Sequence, residues 1–452
     1  MSSEFKSLLS VVALAIGLAL AGPTSAAQLP EDEALFTVQC AVCHQEMAAA
    51  KGSPNEKAPT RAQLRQFTAE AVLNALTNGK MQQQGGTLGE PQRRLVSQFA
   101  SGKLLSAVPQ PGQVANRCTD NAPMGDPATG ASWNGHGNGP DATRFARSGG
   151  ITAADLPRLK LKWAFGYANV GSARAQPALA GGRLFVSSEN GEVHALNPRT
   201  GCSYWSFRAQ AGVRTAPSVA AYRTTDGARG YAVYFGDTKA NVYGIDANTG
   251  KQIWIRHVDD HPSAAITGSP IVHDGRLFVG VQGLGEEGRG ATGGYQCCTF
   301  RGSLSALDIN YGNVLWKTYT VDESRPRAKN SAGVQMFGPA GGSIWSAPSV
   351  DVKRGLVYAA TGNAFADPPQ KMTNSVIAFD QKTGAVRWHH QFTEADQWAM
   401  GCQPTNADNP SCPAVLGPDY DFSASPILAR VGNRDLIVIP QKSAIAYAID
   451  PD

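Results

Sequence analysis

Three regimes of hydrophobic patterning follow one another along the 452 residues. The first is an apolar run over residues 8–21, behind Lys6 and ahead of Gly22-Pro23-Thr24-Ser25-Ala26-Ala27. A positive start, a run of about 14 apolar residues and a small-residue cleavage site read as a secretory signal peptide over 1–27, because a spanning helix needs about 20. No later stretch has 18 apolar residues in a row, so no membrane span is expected. The second regime is helical, over 68–78 and 90–100. The third begins near Trp133. Apolar and polar positions alternate there, as in Gly182-Arg183-Leu184-Phe185-Val186-Ser187, which predicts strands.

Within the strand-rich part a phrase recurs. It reads Ala195-Leu196-Asn197 with Gly201 and Trp205, then Gly244-Ile245-Asp246 with Gly250 and Trp254. It returns as Ala306-Leu307-Asp308 with Gly312 and Trp316, and as Ala378-Phe379-Asp380 with Gly384 and Trp388. In each copy glycine follows the Asp or Asn by four positions and tryptophan follows it by eight. This is a strand, a turn and a strand: Asp or Asn caps the turn, glycine takes the positive φ, and the Trp packs flat between neighbouring sheets. Such units repeated every 40 to 50 residues or so are the mark of a β-propeller. Successive tryptophans from Trp163 stand 42, 49, 62 and 72 residues apart, so the later blades carry insertions. The phrase starts once more at Ala448-Ile449-Asp450, and its tryptophan would fall beyond Asp452. The expectation is a propeller incomplete within this chain.

Composition fits this picture. The 49 Gly and 28 Pro, with only 17% charged residues, suit short strands and tight turns, and 42% hydrophobic content excludes global disorder. A net charge of +4 without a basic run argues against nucleic acid as the main partner. Eight cysteines in an exported chain point to an oxidising compartment, the periplasm by default. Cys402 and Cys412 flank a short polar loop and read as one disulfide. Cys118 and Cys202 remain as a candidate third pair beside the adjacent Cys297 and Cys298.

Cys40-Ala41-Val42-Cys43-His44 is the C-x-x-C-H pattern of c-type haem attachment. Two thiols on one turn add to the haem vinyl groups, and the following His points at the iron. Met81, 37 residues after His44 and between the two helical stretches, is the expected sixth ligand. Thioether ligation raises the potential and suits an electron carrier. Met47 follows His44 by three residues on the same helix and cannot reach the far haem face. Residues 28–106, with Pro59 between the ligands, resemble class I cytochromes c. Residues 107–130 read as a linker and 131–452 as the propeller. The fold class is therefore mixed, a small all-α cytochrome c domain followed by an all-β propeller.

The repeat resembles the tryptophan-docking motif of the quinoprotein dehydrogenases, which hold pyrroloquinoline quinone (PQQ) in an eight-bladed propeller. The stretch from Trp133 to Phe145, with Arg144, resembles the opening of that propeller. The phrases over 159–166 and 297–303 look closest to the polyvinyl alcohol branch, in which the cytochrome c precedes the propeller. The resemblance implies a periplasmic enzyme that oxidises secondary alcohol groups, polymeric ones included, at PQQ. Electrons would pass through its own haem c to a downstream cytochrome or other acceptor.

The resemblance also implies a site. Cys297 and Cys298 would form a disulfide ring as one lid over the quinone, with Trp345 stacked on the opposite face. Asn363, in Thr361-Gly362-Asn363, would ligate calcium, although Ala364 stands where the family usually has proline. Glu286 or Glu287 would add the carboxylate ligand that a hard ion favours. Arg301 and Lys442 would neutralise PQQ oxygens. Asp421, in Asp419-Tyr420-Asp421, would be the base that takes the hydroxyl proton, with Asp419 as its substitute. Because three or so blades of an eight-bladed ring are missing, activity is expected of the completed propeller. Two further functions stay open. One is a PQQ dehydrogenase for sugars or small alcohols. The other is a non-enzymatic interaction scaffold, which would need neither haem nor the Cys297, Cys298, Trp345 and Asp421 set.

Overall fold

The computed structural model describes residues 31–45, 58–103, 105, 116–120, 122–146, 149–167, 170, 172–224, 227–284, 294–399, 402, 409–413 and 415–452. The signal-peptide stretch, Met47, Glu286 and Glu287 lie outside them. Contacts divide the chain into one unit of residues 1–72 with 88–104 and another of 73–87 with 105–452. No helix among the described residues is long and apolar enough to cross a membrane.

The first unit is helical. It contains α1 (Glu31–Gln39), α2 (Arg61–Leu64), the start of α3 (Ala69–Asn78) and, after the short α4 (Gln82–Gly85) of the other unit, α5 (Glu90–Ser101). The two longer helical stretches of the sequence reading thus form α3 and α5. Phe36 and Phe99 join α1 to α5 with ring centroids 5.4 Å apart, and the Arg61 guanidinium lies 4.6 Å from the Phe99 ring. Gly102 ends α5 at φ 64°, a conformation glycine adopts without strain.

The second unit is built of antiparallel sheets. The first holds β1 (Ala178–Ala180), β2 (Arg183–Ser187), β3 (Glu192–Leu196) and β4 (Ser203–Arg208). The second holds β5 (Ser218–Arg223), β6 (Arg229–Gly236), β7 (Asn241–Asp246) and β8 (Gln252–His257). The third holds β9 (Ile271–His273), β10 (Arg276–Val281), β11 (Ser303–Asp308) and β12 (Val314–Tyr319). A hairpin of β13 (Arg325–Lys329) and β14 (Gln335–Gly338) follows, then β15 (Ala340–Gly341), which pairs with β18 (Ala364–Ala366). The fourth sheet is β16 (Ser349–Asp351), β17 (Leu356–Ala360), β19 (Ser375–Asp380) and β20 (Val386–Gln391). The fifth is β21 (Ile427–Val431), β22 (Arg434–Pro440) and β23 (Ala446–Ile449). Apolar clusters fill the spaces between successive sheets, such as Phe185, Val193, Val233 and Ile245 between the first two. Alternation is weaker than the sequence reading expects. Phe185, Val186 and Ser187 of β2 are all buried, because the middle strands are covered on both faces.

The recurring phrase is what locks the sheets in order. In each copy the turn Asp or Asn accepts backbone N–H groups two and three residues on, as Asp246 Oδ1 does from Asn248 and Thr249 at 3.1 and 2.8 Å. Gly201, Gly250, Gly312 and Gly384 take φ between 69° and 73°. A Cβ on Gly250 would come within 2.7 Å of the Trp205 ring, and one on Gly312 within 2.5 Å of Trp254. The indoles of Trp163, Trp205, Trp254 and Trp316 therefore each lie on the glycine of the following copy. Each indole N–H also donates to the carbonyl directly after that copy's Asp or Asn: Trp163 to Pro198, Trp205 to Ala247, Trp254 to Ile309, Trp316 to Gln381 and Trp388 to Pro451, at 2.9–3.3 Å. Opposite each Trp in its own sheet stands a small residue, Ala195, Gly244, Ala306 or Ala378, beside a β-bulge.

The opening stretch at Trp133 ties the sheets together in a second way. Trp133 exchanges backbone bonds with Leu179 at 2.8 Å, and the Asn134 amide pairs with the backbone of Val219. Pro140 O and Asp141 O accept from Val350 and Leu428. One strap thus meets the first strand of four sheets and satisfies edge groups that would otherwise stay open. The disulfides Cys118–Cys202 and Cys402–Cys412 form as the sequence reading expects, with Cα atoms 5.0 and 5.4 Å apart.

Trp254→Phe removes one ring of the buried indole and the N–H that serves Ile309 O, a carbonyl that keeps the Tyr234 hydroxyl at 3.0 Å. The lost ring area and hydrogen bond together should cost about 1–3 kcal/mol. The denaturant midpoint of the variant should fall accordingly, with an unchanged midpoint contradicting the docking role.

Candidate functional site

A cleft of about 420 Å³ opens where the strand ends of several sheets meet, within the size range of small-molecule sites. Trp345 reaches it from the link between β15 and β16, Asn363 from the end of β17, Asp421 from the approach to β21, and Lys442 from just beyond β22. Four of the residues expected from the sequence are therefore brought together. Asp421 is buried, and its Oδ1 accepts the Asn363 backbone N–H at 2.6 Å. Its Oδ2 accepts the Lys442 ammonium at 2.9 Å, and the same ammonium donates to Asp419 Oδ1 at 2.8 Å. Lys442 Nζ lies 5.5 Å from the Trp345 ring centroid and 6.0 Å from that of Trp398. Gly362 permits this convergence: a Cβ there would sit 2.7 Å from Asp421 Oδ1 and 3.4 Å from Trp345 Nε1.

The electrostatics centre on Lys442. Burial alone would lower its pKa, but Asp421 and Asp419 outweigh that and raise it above the ordinary value. Burial raises the Asp419 carboxyl in turn, the hydrogen bond from Lys442 opposing it and the charge of Asp421 adding to it. Both amide hydrogens of Asn363 are spent on Ala364 O and Trp398 O, so its Oδ1 is the atom it has to offer a cation. Carbonyl and carboxylate oxygens of this kind suit a hard ion.

Three expected residues are not among those lining the described cleft. Cys297 and Cys298 are disulfide-bonded and buried, tied to β14 by backbone bonds to Phe337, and they are not on the described cleft wall. Arg301 turns away from it: Nε and Nη2 donate to Val321 O at 3.1 and 3.0 Å, and the guanidinium stacks 3.8 Å from the Tyr319 ring. A carbonyl and an aromatic face within reach satisfy the cation where it stands. Glu286 and Glu287 lie outside the described residues.

Other lining residues were not singled out from the sequence. Arg174 and Arg214 flank the buried Glu189, with N···O distances of 3.0 and 3.4 Å, and both line the cleft. Burial lowers Arg214, with Glu189 opposing, and its Nε has no partner. Trp398 and Phe365 add aromatic wall. None of these follows a recurring spacing. The only signal was the chemistry of a tricarboxylate, which calls for cations without saying which.

In the helical unit Cys40 and Cys43, in no disulfide, stand on the turn after α1, and the His44 amide bonds back to Cys40 O at 3.0 Å. His44 is buried, and its Nδ1 lies 2.7 Å from Pro59 O. A carbonyl only accepts, so Nδ1 carries the proton and Nε2 keeps its lone pair for a metal. Met81, in the other unit, stands at the start of α4, its backbone N–H on Ala75 O.

Comparison with known proteins agrees with this chemistry. The PQQ family model described as "Glucose/ethanol/alcohol dehydrogenase, beta-propeller domain" matches residues 133–450. A polyvinylalcohol dehydrogenase of Pseudomonas sp. is 39% identical over 97% of this chain and 68% of its own length. A second, from Sphingopyxis sp., is 36% identical over 98% and 69%. The solved quinohemoprotein alcohol dehydrogenase of Comamonas testosteroni superposes with a TM-score of 0.52 at 24% identity, covering 71% of this chain and 47% of that one. The chain thus spans about two thirds of these curated relatives and about half of that solved structure.

A lysine raised on folding stabilises the fold below its ordinary pKa and loses that contribution as the pH climbs through the raised one. Lys442→Met should therefore lower the thermal midpoint at pH 8. The gap to the parent should close as the pH passes above the ordinary lysine value of about 10.4. A gap that stays constant across that window would exclude the ion contact as its cause.

Proposed function

Because the chain belongs to the PQQ glucose/ethanol/alcohol dehydrogenase β-propeller family, we propose that it is a periplasmic PQQ- and haem c-dependent dehydrogenase of secondary alcohol groups, polyvinyl alcohol among them. The observation that carries this reading is the convergence of Trp345, Asn363, Asp421 and Lys442 on one cleft. PQQ held there by these residues would supply a two-electron acceptor for the carbinol hydride, and calcium a Lewis acid.

The chain's own residues do the rest. Trp345 offers a flat wall for a planar ring. Asn363 Oδ1 and a carboxylate from Glu286 or Glu287 hold calcium. Lys442, Arg174 and Arg214 supply the positive charge that a tricarboxylate needs. Asp421, oriented by the Asn363 amide and the Lys442 ammonium, takes the hydroxyl proton; Asp419, on the other arm of Lys442, is second in line. The Cys297–Cys298 disulfide would lid the quinone as the family resemblance implies, while Arg301 is engaged by Val321 O and the Tyr319 ring.

Cys40 and Cys43 would hold haem c by thioether bonds, and His44 Nε2 and the Met81 sulfur would ligate its iron. The bond from His44 Nδ1 to Pro59 O fixes the imidazole and raises its basicity. Haem held there supplies one-electron transfer to a downstream cytochrome or other acceptor.

Dye-linked oxidation with added PQQ and calcium, across polymeric, secondary and primary alcohols, tests the activity and sorts alcohols from sugars. Asp421→Asn keeps size and hydrogen bonding but cannot accept the proton, so turnover should fall by about 10²–10⁴ with PQQ still bound. Near-normal turnover would move the base to Asp419. Met81→Ala should retain covalent haem, lower its potential and lose the far-red sulfur-to-iron band. An unchanged band would refute the ligand.

A further inference from the structure

Asp396 lies behind the cleft, and neither the repeat nor the proposed chemistry uses it. Its carboxylate is 2% exposed. Oδ1 accepts the Asp419 backbone N–H at 3.0 Å, and Oδ2 accepts those of Tyr420 and the Asn374 side chain, both at 2.7 Å. Its main-chain carbonyl accepts the Ala364 N–H at 3.0 Å, and the Asn374 N–H donates to Gly362 O at 2.9 Å. The residues on both sides of Asn363 and the two residues before Asp421 are therefore held by one buried pair. Gly417 lets the chain pass this close, since a Cβ there would lie on Asp396 Oδ1. Among the described residues no lysine or arginine pairs with Asp396, so N–H dipoles alone balance its charge.

We infer that Asp396, with Asn374, is a positioning residue that sets the separation of the proposed calcium ligand Asn363 from the proposed base Asp421. The inference rests on the quinone-site reading above. The 2.6 Å contact between the Asn363 N–H and Asp421 Oδ1 joins two segments that are otherwise distant in sequence. A carboxylate can accept from three N–H groups at once, which neither an amide nor an apolar side chain can do. Burying it without a cation is unfavourable unless those donors are all present, so its environment is specified closely.

Asp396→Asn turns an amide NH₂ against one of the three donors. In the cofactor-free protein, amide exchange over 415–422 should accelerate about tenfold or more, while the docking strands exchange as in the parent. In the PQQ- and calcium-loaded protein kcat should fall about tenfold or more with KM unchanged. Asn374→Gly removes a single donor at a position already at φ 48° and should give the same pattern more weakly. Unchanged exchange over 415–422 would overturn the inference, as would unchanged kcat or a loss confined to KM. If the parent oxidises no alcohol, the quinone-site reading fails, and the exchange comparison alone decides whether Asp396 is the clamp.

Discussion

The structure depends on one contact that recurs from sheet to sheet: an indole N–H given, five times, to the carbonyl that follows the turn Asp or Asn of the next copy, with the indole laid on that copy's glycine in four of the five. A twisted antiparallel sheet leaves both faces apolar and gives no reason for its neighbour to sit at one angle. The dock supplies that reason. It joins flat apolar area to a directional bond, and it works only if glycine stands at the turn and a small residue stands opposite the indole. Blade length is left free, which is why the third and fourth sheets accommodate long insertions while their docks keep the same form.

The proposed chemistry falls on the segments that link the strands. Trp345, Asn363, Asp421 and Lys442 all stand just outside strands whose positions the docks determine, so side chains up to 97 positions apart in sequence meet in one cleft. Rigid sheets place the segments to within an ångström or so; local hydrogen bonds finish the placement. Lys442 between Asp419 and Asp421, and Asp396 behind them, are the two polar centres that do this. Both hold charge in a poorly solvated place, where an acidic pair without its cation or its N–H donors would repel itself.

The repeat was legible because its physical requirement is periodic. Glycine at plus four and tryptophan at plus eight are each demanded by the same dock, so four copies reveal it. What sequence does not display is the carbonyl that receives each indole, because any residue offers one. Resemblance identified Trp345, Asn363, Asp421 and Lys442, and the fold brings them together. It was less reliable for cations. Arg301 sits close in sequence to the expected ring, yet a nearby carbonyl and the Tyr319 face satisfy it first. Arg174, Arg214 and Asp396 were invisible for the opposite reason: their role comes from what packs against them, and neither spacing nor composition records that. The strands also alternate less than their composition suggests, since sheets covered on both faces bury both sets of side chains.

The central claim is that the cleft is a calcium-dependent quinone site. Equilibrium titration of the purified chain with PQQ, followed by quenching of tryptophan fluorescence with and without calcium, tests it most directly. One equivalent should bind in the presence of calcium. Affinity should fall sharply on chelation and in both Trp345→Leu and Asn363→Ala, while Arg301→Met binds as the parent does. Absence of saturable binding would contradict the account, as would binding indifferent to calcium, Trp345 and Asn363.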